Sequence, residues 1–308
     1  YRSNHLNYYH CLLYLVTIQI LREKGELLMA NFDESAILKR IFSYVLLIVL
    51  AVVILAPFFI GIWTSFLPTM EIAKGNLFST DISLNNYVAA FTKTPILRYL
   101  VNTVFISVVT MVAQLIFCSM SAYAFVFLKF KYRKTIFGLF LITMMLPFEA
   151  EIIPNFATVK QLGMLDNYSA LIVPFLTSAF GTFMLRQAFM QTPAELKEAS
   201  DIEGLNHFQF YWNIVLPYNK ISMITLGAYS FLGAWNQYLW PMLTTFSNNS
   251  RVIQNGLKQL QSEETFNDWG MIQASAAIIV IPTIIVLFIG QHLSLIHISE
   301  PTRRVVIS

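Results

Sequence analysis

The sequence predicts an all-α integral membrane protein with six transmembrane helices. Apolar residues make up 56% of its 308 residues and charged residues only 12%, about half of the charged share of a soluble domain. The chain also contains long apolar runs of about 20 residues or more, which is the length that crosses a bilayer as a helix. Because a backbone in lipid must satisfy its own hydrogen bonds, these runs are expected to be helical.

Five of the six predicted spans have no charge inside their apolar core, and the third carries Glu149 and Glu151 near its end. Pro147 and Pro154 lie beside these two acids, so we expect the helix to break and let the carboxylates reach water at the outer face. Solute binding by the two acids is the alternative. The spans are residues 41–67, 99–127, 135–157, 168–188, 221–243 and 270–292.

The orientation follows from the short loops, because basic loops stay in the cytoplasm. Residues 129–134 include four basic residues, and Arg186, Lys197 and Lys220 accompany the fourth connection. Residues 158–167, on the opposite side, contain only Lys160. Both termini are therefore expected in the cytoplasm of a prokaryotic cell.

The two ends are expected to lie outside the native membrane domain, residues 29–293. Lys24-Gly25-Glu26 can be encoded as a purine-rich ribosome-binding site shortly before Met29, so Met29 is the predicted start and residues 1–28 an upstream extension. Residues 294–308 show no helical pattern that continues the last span, and we interpret them as a tail foreign to the native protein.

The long connection between spans four and five predicts a compact helix–Gly–helix unit, residues 192–217, called the coupling loop below. Thr192, Pro193 and Glu195 fit a capping box at the start of the first helix. Gly204 fits a left-handed stop, and Asn206 fits the cap of a second helix that closes at Pro217. Such a unit can dock into a groove of a soluble partner, or it can lie along the membrane interface.

The coupling loop resembles the EAA loop of binding-protein-dependent ABC importer permeases, with Ser in place of the usual third Ala. The matching positions are Glu198, Ala199, Ser200, Gly204, Ile214, Leu216 and Pro217. The resemblance covers roughly residues 36–293 and includes the segments at 145–149, 163–168, 183–187, 235–241 and 268–270. Within the family, the chain most resembles the maltose-type inner subunits, and among these the glycerol-3-phosphate permease subunit.

The resemblance implies a permease that works with other polypeptides. Two ATP-binding cassette subunits, a second homologous permease and an extracytoplasmic solute-binding protein are the implied partners. The sequence has no Gly-Lys-Ser/Thr phosphate loop, so ATP hydrolysis is expected from the separate subunits. No cofactor, metal site or nucleic-acid partner is expected.

A polar and aromatic group in the fifth span suggests where the solute passes. Amides can bond to hydroxyls and aromatic rings can stack on the C–H faces of a sugar or polyol. Helix packing and an interfacial aromatic belt are the alternative explanation. The candidate residues are Trp235, Asn236, Gln237 and Tyr238 in the fifth span and Asn102 in the second.

Three other functions remain open from the residues alone. The first is an importer of sugars or oligosaccharides, which differs only in cargo. The second is an ion-coupled secondary transporter, which predicts coupling charges at mid-span and inverted repeats. The third is a membrane-embedded enzyme that uses Glu149 and Glu151 as an acid–base pair, although no nucleophile or metal set accompanies them.

Overall fold

The computed structural model describes residues 34–259 and 268–298. All regular structure in these ranges is helical. The helices are α1 (Glu34–Thr64), α2 (Thr69–Ala73), α3 (Asn85–Lys93), α4 (Ile96–Phe127), α5 (Arg133–Thr143), α6 (Phe148–Gln161), α7 (Tyr168–Ile172) with a 3₁₀ turn (Val173–Phe175), α8 (Ala179–Phe189), α9 (Ala194–Ile202), α10 (His207–Phe210), a π turn (Tyr211–Val215), α11 (Leu216–Tyr218), α12 (Lys220–Trp235), α13 (Leu239–Thr244), α14 (Ile253–Gln259) and α15 (Trp269–Ile298).

The chain forms two compact units, one up to Ile60 and one from Gly61 onward. In the first unit the described residues are the larger part of α1, whose side chains from residue 41 to 54 are exposed and almost all apolar. A helix that shows apolar side chains all round is typical of a membrane span.

Helix α4 is the centre of the second unit, because α8 and α12 both pack along it. One cluster of buried side chains joins these helices to the coupling loop and includes Phe189, Phe210 and Leu226. A second cluster around Tyr99 and Trp235 joins α4 to α14 and α15. Residues near the start of α15 are thereby packed against α4.

The predicted spans appear as helices, but two of them are bent. The third prediction, 135–157, is α5 followed by α6 at 98°, and the fourth, 168–188, is α7 with its 3₁₀ turn followed by α8 at 41°. Pro147 precedes α6 in extended conformation, which ends α5 because proline has no N–H and disfavours helix in the residue before it. The break that we predicted near Glu149 is therefore present.

The number of spans stays a prediction. Within residues 34–259 and 268–298, three helices are long and apolar enough to cross a membrane, and five segments are if each bent pair is one span. The predicted fifth span, 221–243, consists of the 16-residue helix α12 and, after a break at 236–238, helix α13.

The chain ends differ from expectation at one point. Helix α15 continues to Ile298, six residues beyond the predicted end of the last span, so the helix includes the start of the predicted tail. Residues 1–28 and 299–308 lie outside the described residues, and their predicted foreign origin remains a prediction.

Candidate functional site: the coupling loop and the solute path

The first helix of the coupling loop starts one residue later than predicted. Pro193 is the N-cap residue in extended conformation, with φ −55° and ψ 138°, and no side chain caps the helix. The predicted capping box of Thr192 and Glu195 is therefore wrong. Thr192 Oγ1 instead accepts a hydrogen bond from Asn219 Nδ2 at 3.1 Å, which joins the two ends of the coupling loop.

The turn between the two helices has the predicted chemistry. Gly204 adopts a φ of +71°, a conformation that a residue with a Cβ rarely adopts. Asn206 and Gln209 form a complete capping box, with hydrogen bonds of 2.9 and 3.0 Å between each side chain and the other's backbone N–H. The turn is thus fixed by local interactions that the sequence encodes.

The second half of the coupling loop is anchored to helix α4. The hydroxyl groups of Ser119 and Tyr211 lie 2.7 Å apart, and the Tyr123 hydroxyl donates to the His207 carbonyl at 3.0 Å. Tyr211 also packs edge-on against the Tyr123 ring. A displacement of this part of the coupling loop would therefore act directly on the longest helix of the second unit.

The positions that carry the resemblance divide into buried and exposed groups. Ser200 is buried and its Oγ donates to the Lys197 carbonyl at 2.7 Å, so a small residue is required there. Ile214 and Leu216 are half-buried against the cluster that holds Phe210. The exposed positions are Glu198, Ala199, Gly204 and Pro217.

Large apolar side chains are exposed on the coupling loop. Ile202 is 87% exposed, Phe208 71% and Trp212 60%. The Phe208 and Trp212 rings lie nearly parallel, with an interplanar angle of 12°. Exposed apolar groups beside the charged helix α9 are typical of a surface that another protein covers.

Asn102, a predicted solute contact, is fully engaged within the protein. Its Nδ2 donates to the carbonyls of Asn249 and Arg251, both at 2.9 Å, and its Oδ1 accepts from the Tyr168 hydroxyl at 2.7 Å. The side chain is 3% exposed. The structure thus gives Asn102 a role in holding the segment after α13 against α4.

The other four predicted solute contacts lie around the break between α12 and α13. Trp235 is fully buried and stacks on Phe231. Asn236 is exposed and donates from Nδ2 to the Leu232 carbonyl at 2.9 Å, and Tyr238 is half-buried. Gln237 alone among the predicted set lines a polar cavity, which contains about 190 Å³.

Thr110 and Ser178 also line this cavity, and the sequence analysis missed both. Each is a single hydroxyl in an apolar run, so no motif marks it. The one available signal was Pro174, which lies in the middle of the fourth predicted span and favours a break near Ser178.

Asp166 is a further organising residue that sequence patterns did not assign. Its Oδ1 accepts from the backbone N–H groups of Phe246 and Ser247, at 2.8 and 2.9 Å, and from the Ser250 hydroxyl. The bond from Ser247 is the main reason why the pKa of Asp166 is far below its usual range, and Ser250 adds to the effect. The connection between spans three and four is thereby joined to the segment after α13.

The comparison with known families decides the class of the protein. The sequence model of the binding-protein-dependent transport system inner membrane component matches residues 114–295, which include the coupling loop and the lining residues of the polar cavity other than Thr110. The chain belongs to this family. It is therefore a multi-pass inner-membrane permease subunit of an ABC importer, and the hydrolysis of ATP in such importers takes place on separate subunits.

Individual relatives agree with this assignment. The permease is 32% identical over 265 residues to the sn-glycerol-3-phosphate transport system permease protein of Pectobacterium atrosepticum, covering 82% of this chain and 93% of the relative. The protein of the same name from Rhizobium meliloti is 29% identical, with 84% and 95% covered.

A solved structure shows the same fold. The permease is similar to a chain of a bacterial ABC transporter involved in the import of the acidic polysaccharide alginate. The TM-score is 0.78 at 25% identity, with 86% of this chain and 99% of that chain covered. The family assignment confirms the importer class and removes the ion-coupled transporter and the membrane-embedded enzyme as explanations.

Proposed function

We propose that this chain is one of two permease subunits in an importer of sn-glycerol-3-phosphate. The observation that carries the proposal is the similarity to sn-glycerol-3-phosphate permeases over more than nine-tenths of their length, at 32% identity for the Pectobacterium protein. A binding protein would deliver the solute to the outer face. The partner permease would complete the translocation path.

The coupling loop is the proposed docking site of one ATP-binding cassette subunit, and the second permease would receive the other. Ile202, Phe208 and Trp212 would be covered by the cassette, while Glu198 and the other exposed positions of the motif would contact its polar rim. When the two cassettes bind ATP and close, they would move the coupling loop. The loop would in turn move α4 through Tyr211.

The proposed topology places the coupling loop, the basic residues 129–134 and both termini in the cytoplasm. Six spans within a native domain of residues 29–293 would achieve this. The exposed Glu149 and the half-buried Glu151 would then lie at the opposite face, in the first turn of α6.

A sugar or oligosaccharide importer is the second candidate, because the similar solved structure belongs to an importer of alginate. Alginate and glycerol phosphate share two properties, since both carry negative charge and several oxygen atoms that accept hydrogen bonds. The two candidates therefore differ in the size of the solute more than in its chemistry.

Uptake by the reconstituted complex tests the proposal. Proteoliposomes that contain both permeases and the cassettes would receive the cognate binding protein, ATP inside the vesicle, and labelled sn-glycerol-3-phosphate, an oligouronate or maltose outside. We expect uptake of sn-glycerol-3-phosphate that depends on ATP and on the binding protein. Uptake of the oligouronate or maltose in its place would show that the proposed cargo is wrong.

A further inference from the structure

The fourth predicted span is interrupted near its centre. Helix α7 and its 3₁₀ turn end at Phe175, and α8 begins at Ala179 with a change of direction of 41°. Residues 176–178 thus lie at the middle of predicted span 168–188. Non-helical backbone at membrane depth is tolerated only where protein covers it or where it lines a cavity.

Side chains from α4 hold this break in place. Gln114 Nε2 donates to the Phe175 carbonyl at 2.9 Å, and Cys118 Sγ lies 3.4 Å from both the backbone N and O of Ser178. The Phe175 carbonyl and the backbone N–H and carbonyl of Ser178 therefore have hydrogen-bond partners at the break. Contacts with α4 therefore stabilise the break in the predicted span.

The break opens on the polar cavity of about 190 Å³ described above. The polar residues of its wall come from the middle parts of three predicted spans. None of the lining residues is a carboxylate within the part of the chain that the structure describes. The polar wall consists of Thr110, Gln114, Ser178, Tyr229, Ser230 and Gln237.

Ser178, the residue that precedes the first turn of α8, lines one side of this cavity. Ser178 caps the helix, with its Oγ accepting from Gly181 N at 3.2 Å. The first N–H groups of a helix lack partners within the helix, and the helix dipole places partial positive charge there. A helix N-terminus directed at a cavity favours an anionic group.

Thr110 independently indicates that the cavity receives a ligand. A threonine in a helix usually bonds to a carbonyl three or four residues earlier, as Thr103 does to Tyr99 at 2.7 Å. Thr110 is 2% exposed, yet its Oγ1 has no hydrogen-bond partner among the described residues. A buried unpaired hydroxyl is unfavourable, and a solute oxygen that accepts its proton would remove the cost.

We infer that this cavity is a solute subsite of the permease itself, and that it binds the anionic end of a hydroxyl-bearing solute. The inference rests on the proposed function, since it assigns a place to the phosphate ester of that cargo. The N-terminus of α8 with the Ser178 and Thr110 hydroxyls faces the anion, and Gln237 bonds to a hydroxyl of the solute. These donors are neutral, so they bind the anion without a full charge that would hinder its release.

Retention of solute by the assembled complex tests this subsite. The complex would carry cassettes that bind ATP without hydrolysing it, and labelled sn-glycerol-3-phosphate would be supplied with the binding protein. Thr110→Val removes the unpaired hydroxyl, and Gln237→Leu removes the second donor. Thr182→Val is the matched control, because the Thr182 hydroxyl is also buried and unpartnered but Thr182 does not line the cavity.

We expect Thr110→Val and Gln237→Leu each to weaken retention about tenfold, which corresponds to about 1.4 kcal/mol, while Thr182→Val retains as the wild type does. Unlabelled inorganic phosphate should compete better than glycerol, because the anion lies at α8. Equal retention by the Thr110→Val and Thr182→Val complexes would overturn the subsite. If the wild-type complex neither imports nor retains sn-glycerol-3-phosphate, the proposed cargo itself is wrong.

Discussion

At the scale of single residues, the permease uses a buried amide and a half-buried carboxylate to hold distant segments together. Asn102 joins α4 to residues 249 and 251, and Asp166 joins the third connection to residues 246–250. Both side chains make several hydrogen bonds, and the segments that they join in this way lie at least 80 positions apart in the sequence. Their loss is therefore expected to affect folding before it affects transport.

Substitution of Asp166 tests whether its hydrogen bonds stabilise the folded permease. The hydrogen bonds lower the folded-state pKa of Asp166, so its stabilisation is present above the unfolded pKa of about 4 and is lost as the pH falls through the lower folded value. Asp166→Asn should cost about 1 kcal/mol at neutral pH after allowance for solvent screening. Thermal unfolding in detergent at pH 7 should show this loss.

The Asp166→Asn difference should also shrink as the sample is acidified below about pH 4, because the carboxylate then becomes protonated in the unfolded chain, and at still lower pH also in the folded permease. Asp81→Asn is a suitable control, since Asp81 is an exposed acid with a loop position. A wild-type advantage that is unchanged by acid would contradict the assignment of these hydrogen bonds to a carboxylate.

Gly256 tests the packing of α14 on α4. A Cβ at this position would lie 2.2 Å from Tyr99 Cδ2, far inside the distance at which real atoms pack. Gly256→Ala should therefore destabilise the permease by about 1–3 kcal/mol. Gly138→Ala is the matched control, because a Cβ there has no neighbour within 4 Å. The unfolding temperature of Gly256→Ala should be the lower of the two. Equal unfolding temperatures would show that Gly256 does not pack against Tyr99.

At the scale of elements, the coupling loop is held by its own hydrogen bonds and is anchored to α4 through the hydroxyl groups of Ser119 and Tyr123. Thr192 and Asn219 join its ends, the Asn206–Gln209 capping box fixes its turn, and the Ser119–Tyr211 contact fixes its second half. Burial also raises the pKa of Tyr211, so its hydroxyl remains protonated at physiological pH.

Removal of one hydroxyl tests whether this connection transmits movement. Tyr211→Phe deletes the hydrogen bond to Ser119 and leaves the ring in place. We expect fewer solute molecules to be imported per ATP hydrolysed, by about two- to fivefold, since a buried hydrogen bond contributes about 1 kcal/mol. Tyr218→Phe, at an exposed tyrosine of α11, is the control. An unchanged number of solute molecules imported per ATP in the Tyr211→Phe complex would show that the Ser119–Tyr211 contact does not transmit the movement of the coupling loop.

Local sequence signals predicted where helices and turns occur better than they predicted how the helices bend. Gly204 and Asn206 were predictable because their partners lie within five residues, and the apolar runs were predictable because lipid requires them. The break beside Pro147 was predictable from the proline, whereas the bend at residues 176–178 was not predicted, since hydropathy does not report the direction of a helix. The hydrogen bonds of Asn102 to residues 249 and 251 could not be predicted, because those partners lie nearly 150 positions away, and its role as a solute contact stays a prediction.

At the scale of the whole molecule, the proposed topology places two loops on opposite sides of the membrane. Single cysteines at Lys131 and at Lys160, in a chain with Cys11→Ser, should react with a membrane-impermeant thiol reagent from opposite sides. Cys118 is buried and should remain unlabelled in the folded permease. Labelling of Lys131→Cys from the outside of intact cells would invert the topology and exclude the coupling loop as the cassette dock.

The central claim is that the coupling loop connects ATP hydrolysis to solute import, and ATPase activity of the assembled complex measures it most directly. Gly204→Pro would disturb the left-handed turn, and Glu198→Lys would reverse the charge of an exposed motif position while leaving the fold intact. We predict that the activity stimulated by the loaded binding protein falls at least tenfold in both complexes. Stimulation equal to that of the wild type in both would show that the cassettes couple to the permease through another surface.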